Sequence, residues 1–527
     1  MNYKKLGKIL GKIMILEAIL MLAPLAVSLI YKEDLQHILA YVIPIVILTV
    51  LGFLMQIPKP KRNSLYQKEG FALTAMVWII MTLFGAIPFV ISGDIPNYID
   101  ACFEIMSGFT TTGSSIITDI TVISHSALFW RSFSHWIGGM GILVFVLIFI
   151  PESDDGSSMH LLRAESAGPQ VGKLTSKMKL TTRILYLIYF GMTVLQIIVL
   201  SCGTIIDYDA MSRDLGEAAV AAYRDDKFFH ILLTTFGTAG TGGFGFILSS
   251  MQYFTPFAQY TVSIFLLLFG CNFSLYYLIL IGRIKDVLKS EELKTYALIV
   301  GTAIAFVFIS LMGKIEAFPQ NYTTEEAFRH SLFQVASLIT TAGFSSTDYD
   351  LWPMLAKTSL IVVMFIGGMA GSTAGGIKIS RIIISLKGTY VNIRKLINPR
   401  YVAKAKIEGK HLEEKTVNDV FAFITLYFFI LVIVAFILSF DPINGEAVNI
   451  VSDAGEYSVK HGFFSNFSSA VACISNIGPG FEAVGPYSSF AGYTYFSKIV
   501  LVLTMMLGRL EILPVLILFS PKTWKKV

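Results

Sequence analysis

Four short glycine-containing turns recur along the chain, each between a half-length apolar segment and a longer one. They are Thr110 to Ser114, Gly240 to Phe244, Thr340 to Phe344 and Ser475 to Pro479. Glycine permits positive φ and close backbone approach, so consecutive carbonyl oxygens in such turns can point at one axis. Rings of carbonyl oxygens can replace the hydration shell of K⁺. The turns hold no charged side chain, which favours a monovalent over a divalent cation.

A single turn of this kind is usually a packing site or a helix cap. Four turns in register, each after a short segment, instead indicate four quasi-equivalent elements around a pore axis. The register of the second turn is open, because Gly240, Gly242 and Gly243 compete for the equivalent position. Gly243 is preferred, since Gly243-Phe244 then matches Gly343-Phe344.

The elements that hold these turns are predicted to be membrane spans. Hydrophobic residues make up 54% of the 527 residues and charged residues 15%, whereas a soluble chain carries about a quarter charged residues. A helix needs about 20 apolar residues to cross the hydrocarbon layer. Ten runs qualify: 10–31, 36–56, 70–92, 128–151, 182–206, 253–282, 293–313, 355–386, 416–440 and 492–520. No basic face with interleaved aromatic residues indicates nucleic-acid binding.

The distribution of charge orients these spans. If the N-terminus is cytoplasmic, ten crossings place 30 of the 41 lysines and arginines in inner loops and many acidic residues in outer loops. Cytoplasmic loops of membrane proteins carry this excess of Lys and Arg. Both termini are therefore predicted to be cytoplasmic, and all four turns lie on the outer side.

A glycine-rich stretch interrupts the eighth run, from Gly367 to Gly376. Each glycine costs a helix interior about 1 kcal/mol, so a continuous helix is not expected. Irregular backbone at membrane depth is tolerated only inside protein or against water. The alternative is a groove for packing a neighbouring helix. Lys378, just beyond the stretch, is expected to extend its side chain to the inner membrane surface.

Arg509 lies inside the last apolar run. A charge at that depth costs at least ~2.5 kcal/mol unless it faces the bundle interior or water. It could pair with Glu511 or lie near the interface, or it could serve the pore.

Six motifs carry a family resemblance across nearly the whole chain. They are Ser107 to Gly113, Thr241 to Phe244, Phe333 to Phe344, Asn476 to Gly480, Gly367 to Lys378 and Leu507 to Glu511. With them the chain resembles the Trk/Ktr/HKT superfamily of potassium transporters, and most of all the bacterial Trk-type membrane subunit. The first two spans look like the additional pair that Trk-type subunits carry.

The resemblance implies a single-file pore with one filter glycine per repeat. Those glycines would be Gly113, Gly243, Gly343 and Gly478. The carbonyls that bind K⁺ would belong to Thr111, Thr112, Thr241, Gly242, Thr341, Ala342, Asn476 and Ile477. Some relatives that favour Na⁺ have serine at the first glycine position, so Gly113 supports K⁺. The resemblance also implies an intramembrane gate, formed by Gly367, Gly368, Gly371, Ser372, Thr373, Gly375, Gly376 and Arg509.

The implied architecture is an all-α polytopic membrane protein, with two leading transmembrane helices and then four helix–pore loop–helix pseudo-repeats. We expect a two-helix extension at 1–69, pore repeat 1 at 70–155 and repeat 2 at 156–290. Repeat 3 with the gate loop would cover 291–390, and a cytoplasmic loop with repeat 4 would cover 391–527.

The expected function is gated K⁺ uptake across the bacterial cytoplasmic membrane, with no cofactor in this chain. No G-x-G-x-x-G follows a predicted strand and no G-x4-G-K-[ST] motif occurs, so nucleotide control would come from another chain. The resemblance implies a homodimer on a cytosolic nucleotide-binding regulatory subunit. The basic segment from Lys378 to Lys415 could instead contact anionic membrane lipid. The main alternative is a Na⁺- or H⁺-coupled symporter, and an enzyme is a distant third because no H-E-x-x-H or G-x-S-x-G motif occurs.

Overall fold

The chain folds into a bundle of helices with two short β-hairpins. The structure is a computed structural model, and it describes residues 2–58, 66–141, 178–224, 226–313, 322–400, 404–452, 455–510 and 512–524. The first three helices, α1 to α3, are Tyr3–Leu20, Leu22–Ile30 and Leu35–Gln56. Helices α1 and α3 cross closely at two glycines, because a Cβ atom on Gly11 would lie 2.5 Å from the carbonyl oxygen of Gly52.

The next two groups of helices contain the first two turns. Helices α4 to α7 are Gln67–Gly85, Ile87–Ser92, Tyr98–Phe109 and His125–Gly139. Helices α8 to α14 are Met178–Ser201, Tyr208–Leu215, Glu217–Arg224, Lys227–Gly240, Pro256–Phe269, Phe273–Leu280 and Ile284–Lys289. The boundary expected at 155/156 lies outside the described residues.

The last two groups contain the third and fourth turns. Helices α15 to α18 are Glu291–Leu311, Thr324–Ile339, Met354–Ile366 and Ile379–Ile397. Helices α19 to α23 are Glu414–Leu438, Phe463–Ser475, Tyr495–Arg509, Leu513–Phe519 and Pro521–Trp524. Two 3₁₀ turns, Tyr349–Leu351 and Glu482–Val484, follow the third and fourth turns.

Six segments of the described chain are long and apolar enough to cross a membrane. They are Tyr3–Ile30, Leu35–Gln56, Lys68–Ser92, Leu180–Ser201, Glu291–Leu311 and Glu414–Leu438. A seventh candidate is the pair α12 and α13, which is bent by 91°. The runs at 253–282 and 492–520, each expected to be one span, both divide into two helices, α12 with α13 and α21 with α22. The run at 355–386 divides as expected, and 142–151 of the fourth run lies outside the described residues.

Two hairpins add a little strand to this helical membrane fold. Strands β1 and β2, Lys406–Ile407 and Lys410–His411, pair antiparallel between α18 and α19. Strands β3 and β4, Ala447–Ser452 and Gly455–Lys460, pair antiparallel with Ala447 opposite Lys460. The hydroxyl of Tyr457 donates to the carboxylate of Asp348 at 2.7 Å, which fastens the second hairpin beside the third turn.

Candidate functional site

The four turns share one backbone conformation. Each short helix ends at a residue in the left-handed region, at Thr111, Thr241, Thr341 and Asn476, with φ between 54° and 57°. The next amide donates to the carbonyl five residues earlier, at 2.8 to 2.9 Å: Thr112 to Ser107, Gly242 to Gly237, Ala342 to Ser337 and Ile477 to Ala472. This is the Schellman pattern that closes helix C-termini. Threonine is β-branched and rarely adopts this conformation, and such strain clusters at functional sites.

The left-handed residue fixes the register of the second turn. Thr241 lies two residues before Gly243, as Thr111 does before Gly113. Gly240 instead ends helix α11. One departure remains, because Gly113, Gly343 and Gly478 have φ of 85°, 80° and 105° whereas Gly243 lies outside the positive region.

The four turns meet in a closed ring. A Cβ atom on Gly113 would lie 2.7 Å from the amide nitrogen of Gly243, and one on Gly243 would lie 2.5 Å from the carbonyl oxygen of Ala342. A Cβ on Gly343 would overlap the carbonyl oxygen of Ile477. One on Gly478 would lie 2.8 Å from the carbonyl oxygen of Thr112, which returns the ring to the first turn. Only glycine fits these four positions without displacing backbone.

Eight carbonyl groups in this ring accept no hydrogen bond from the described part of the chain. Buried carbonyls are normally paired, with protein or with water. These groups belong to residues that are themselves buried. They are Thr111, Thr112, Thr241, Gly242, Thr341, Ala342, Asn476 and Ile477. The set therefore offers a concentration of free oxygen ligands, which is the arrangement that replaces a cation's water shell.

A cavity of about 80 Å³ opens onto the ring, and all four glycines line it. The Ser114 hydroxyl donates to the carbonyl oxygen of Gly478 at 2.8 Å and joins the first turn to the fourth. Among the described residues of the lining, Arg131 is the only charged one. The Arg131 Nε donates to the Glu104 carboxylate at 2.7 Å, and both side chains are at most 3% exposed.

Sequence reasoning missed the Glu104–Arg131 pair. The carboxylate also accepts from the backbone amide of Ile116 at 3.0 Å, and the Arg131 guanidinium lies 4.1 Å from the centre of the Phe244 ring. The pair thus holds Ile116, which follows the first turn, and Phe244, which ends the second turn. The usable signal was a charge inside an apolar run, which is the observation that singled out Arg509.

His135 was also missed, and it links α6, the helix before the first turn, to the second turn. Its Nδ1 lies 2.8 Å from the carbonyl oxygen of Gly108, and its Nε2 lies 3.3 Å from the backbone nitrogen of Phe244. A carbonyl only accepts and an amide only donates, so the ring fits as the neutral tautomer with its proton on Nδ1. The imidazole therefore acts as a spacer of fixed orientation.

The glycine-rich stretch forms an irregular loop at 367–378, which we term the glycine-rich loop. It begins where α17 ends, and Gly367, Gly371 and Gly376 have φ between 72° and 75°. A Cβ on Gly368 would lie 2.6 Å from that of Ala374, and the Ser372 hydroxyl donates to the carbonyl of Met369 at 2.6 Å. The loop is therefore tightly folded on itself.

This loop touches the ring directly. The amide of Gly375 donates to the hydroxyl of Thr341 at 2.6 Å, and the Thr373 hydroxyl donates to the carbonyl oxygen of Phe269 at 3.2 Å. A Cβ on Gly139 would lie 3.4 Å from the methyl group of Thr373. The loop thus lies against the third turn, against α12 and against the end of α7.

Arg509 reaches the glycine-rich loop. Its guanidinium donates to the carbonyl oxygen of Thr373 at 3.0 Å, to that of Gly139 at 2.7 Å, and to that of Gly138. Its other candidate partner, Glu511, lies outside the described residues. The expectation for Lys378 is wrong: its side chain is 2% exposed, and its ammonium group donates to the carbonyl of Ala374. The broken backbone turns this lysine inward.

Comparison with known proteins gives a consistent result. The family model TrkH, described as a cation transport protein, matches residues 36–526. The Trk system potassium uptake protein TrkH of Salmonella typhimurium is 30% identical, with 100% of both chains covered. TrkG of Escherichia coli is 30% identical, covering 98% of this chain and 97% of that protein. The crystal structure of the potassium transporter TrkH from Vibrio parahaemolyticus superposes with a TM-score of 0.80 at 27% identity, covering 100% of both chains.

Proposed function

This membrane protein belongs to the TrkH family of cation transport proteins, and we propose that it takes up potassium ions through a gated, K⁺-selective, single-file pore. The observation that carries the proposal is the set of eight buried carbonyls without hydrogen-bond partners in the described chain. Two oxygens from each turn would surround a dehydrated ion, while the four glycines let the turns approach closely enough. The ring carries no fixed charge, which suits a monovalent ion.

The gate in this proposal is the glycine-rich loop with Arg509. A chain segment held against the inner side of the ring would obstruct a single-file path. The guanidinium would add an electrostatic barrier to cations, since a positive charge at such depth acts in a poorly screened environment. Opening would require the loop to leave Arg509 and the Thr341 hydroxyl.

We propose the cytoplasmic membrane as the location, with both termini in the cytoplasm. The support is the excess of Lys and Arg in the loops assigned to the inner side. We also propose a homodimer that contacts a cytosolic nucleotide-binding subunit of the Trk type. Light scattering on the purified protein should then give twice the mass of one chain.

A coupled symporter remains the second candidate, because one carboxyl group would suit it. Glu17 of α1 is fully buried, and neither of its side-chain oxygens has a hydrogen-bond partner in the described part of the protein. A buried carboxyl without a partner is a natural place for a proton. If transport were proton-coupled, Glu17→Gln would abolish the dependence on a proton gradient.

Ion competition in liposomes tests the proposal. Radiolabelled Rb⁺ influx would be measured for the purified full chain, with excess K⁺ or Na⁺ as competitor. We expect block by K⁺ but not by Na⁺, without any imposed gradient of protons. Equal block by Na⁺ would reject the carbonyl filter, and influx only with a Na⁺ or H⁺ gradient would favour the symporter.

A further inference from the structure

A carboxylate also holds the glycine-rich loop, at a point different from the one that Arg509 contacts. Glu292 lies in the first turn of α15 and its side chain is 7% exposed. Its carboxylate accepts a hydrogen bond from the backbone amide of Ala370, in the middle of the loop, at 2.8 Å. The Lys378 ammonium at the end of the loop interacts with it electrostatically. This buried carboxylate thus contacts the loop at Ala370 and acts electrostatically on Lys378 at its end.

The start of the same helix is bound by a residue from the β1–β2 hairpin. A single oxygen of Glu408 accepts from the amide of Glu291 at 2.8 Å, from that of Glu292 at 3.1 Å, and from the Ser290 hydroxyl at 2.8 Å. Amides at a helix N-terminus have no partner within the helix, and an acidic group there is favourable. The hairpin therefore caps α15 at the residue that holds the loop.

The hairpin is built to present this carboxylate. Glu408 and Gly409 at its tip have φ of 48° and 74°, the signs of a type I′ turn. Glutamate seldom adopts positive φ, so the turn forces Glu408 into a strained conformation. A second link comes from Lys387 of α18, whose ammonium donates to the carbonyl of Lys406 at 2.8 Å and pairs with Glu291.

We propose that Glu292 is a positioning residue that holds the gate loop closed, and that the 404–412 hairpin controls it through Glu408. The inference rests on the proposed function, because it assumes that the glycine-rich loop is the gate. Its physical basis is a series of contacts. Glu408 at the hairpin tip binds the N-terminus of α15, and the buried carboxylate of Glu292 in that first turn binds the amide of Ala370 in the loop. Displacing the exposed hairpin removes the cap of α15 and moves the group that fixes Ala370. The hairpin thereby becomes the point at which an event on the cytoplasmic side reaches the gate.

The test is Rb⁺ influx into liposomes for the full chain and five variants, four single and one double. Glu292→Ala removes both the acceptor and the charge, so we expect influx to rise about tenfold, the effect of losing one charge-assisted hydrogen bond to a closed state. Glu292→Gln keeps an oxygen for the Ala370 amide and should give a smaller rise. Glu408→Ala should raise influx about threefold. Glu414→Gln, a nearby exposed glutamate paired with Lys395 at 2.8 Å, is the control and should leave influx unchanged.

Two further readouts separate a released gate from a damaged protein. Block by K⁺ but not by Na⁺ should persist in every variant, since the filter is untouched. Relative to the parent, the double variant of Glu292 and Glu408 should raise influx by less than the product of the two single effects.

Influx in Glu292→Ala equal to or below the parent level would overturn the inference. If that variant does not fold, an unchanged influx in Glu292→Gln would overturn it instead. If the effects of the two single variants on influx multiply in the double variant, the proposed series of contacts is rejected. If Rb⁺ influx through the parent protein is not blocked by K⁺, the proposed function itself is rejected. That outcome is distinct from those that overturn only the role of Glu292.

Discussion

Arg509 donates a hydrogen bond from its guanidinium to the carbonyl oxygen of Thr373, over 3.0 Å, and so joins the last long helix of the fourth group to the glycine-rich loop. The same guanidinium donates to the carbonyls of Gly138 and Gly139 at the end of α7. One side chain thus binds the loop to the end of the helix that follows the first turn.

Arg509→Ala should therefore raise cation flux. The variant loses hydrogen bonds from a charged donor, each contributing about 1.5–3 kcal/mol, so influx of Rb⁺ should rise by about tenfold or more. Arg509→Lys keeps the charge without the planar fork and should give an intermediate rise. Unchanged or lower influx from a variant that elutes as the parent does would remove Arg509 from the gate.

Substitution of one ring glycine should impair selectivity. A Cβ atom on Gly343 would overlap the carbonyl oxygen of Ile477, and its φ of 80° is unfavourable for serine. Strain of this kind costs about 1–3 kcal/mol, so Gly343→Ser should reduce the preference for K⁺ over Na⁺ by roughly tenfold in competition assays. Gly191→Ser is the matched control, since a Cβ there meets nothing within 4 Å. Retained selectivity in Gly343→Ser would argue against the ring as the filter.

The buried pair of Glu104 and Arg131 should be important for stability. Arg131→Leu leaves an uncompensated carboxylate among buried groups, which costs about 3–5 kcal/mol. We expect a clear drop in the thermal midpoint of the purified protein. Adding Glu104→Gln to that variant should restore part of the loss. If the single and double variants melt alike, the pair does not act as a unit.

Asp350, in the 3₁₀ turn Tyr349–Leu351, gives the stability of the protein a pH dependence. Burial and the neighbouring Asp348 raise the pKa of the Asp350 carboxyl well above its ordinary value, although the Glu482 amide donates to it at 2.9 Å. A raised pKa means that the folded protein binds this proton more tightly than the unfolded chain. Its stabilising contribution is therefore present at acid pH and lost as the pH rises through the folded value.

Asp350→Asn keeps an acceptor oxygen and removes the charge. The thermal midpoint of this variant should exceed that of the parent at pH 8 and match it near pH 4. A parallel shift at both pH values would mean that the ionisation of Asp350 is not the cause.

The turns could be predicted from sequence because their chemistry is local. Gly343-Phe344 and its counterparts repeat at fixed positions after short segments, and each turn closes with hydrogen bonds inside its own segment. The order in which the turns meet depends on contacts between residues more than a hundred positions apart, as between Gly113 and Gly243. No single-sequence pattern encodes those contacts.

Helix breaks were harder to predict where the apolar pattern continues through them. The bend between α12 and α13 falls at Gly270, Cys271 and Asn272 in a run without a strong interruption. Lys378 was misplaced for a related reason. The broken backbone directs its ammonium group to the carbonyl of Ala374 instead of the membrane surface. The hydropathy of a segment indicates whether it lies in the membrane. It does not indicate which side chains of an irregular segment face the protein interior.

If the eight carbonyls of the ring bind dehydrated K⁺, Rb⁺ should occupy the same positions, where anomalous diffraction can locate it. Crystals grown with Rb⁺ in place of K⁺ would be measured at the rubidium edge. We expect an anomalous peak enclosed by the carbonyl oxygens of Thr112, Gly242, Ala342 and Ile477, and we expect it to disappear when Rb⁺ is replaced by Na⁺. An empty ring in Rb⁺ crystals, with peaks only outside it, would contradict the claim.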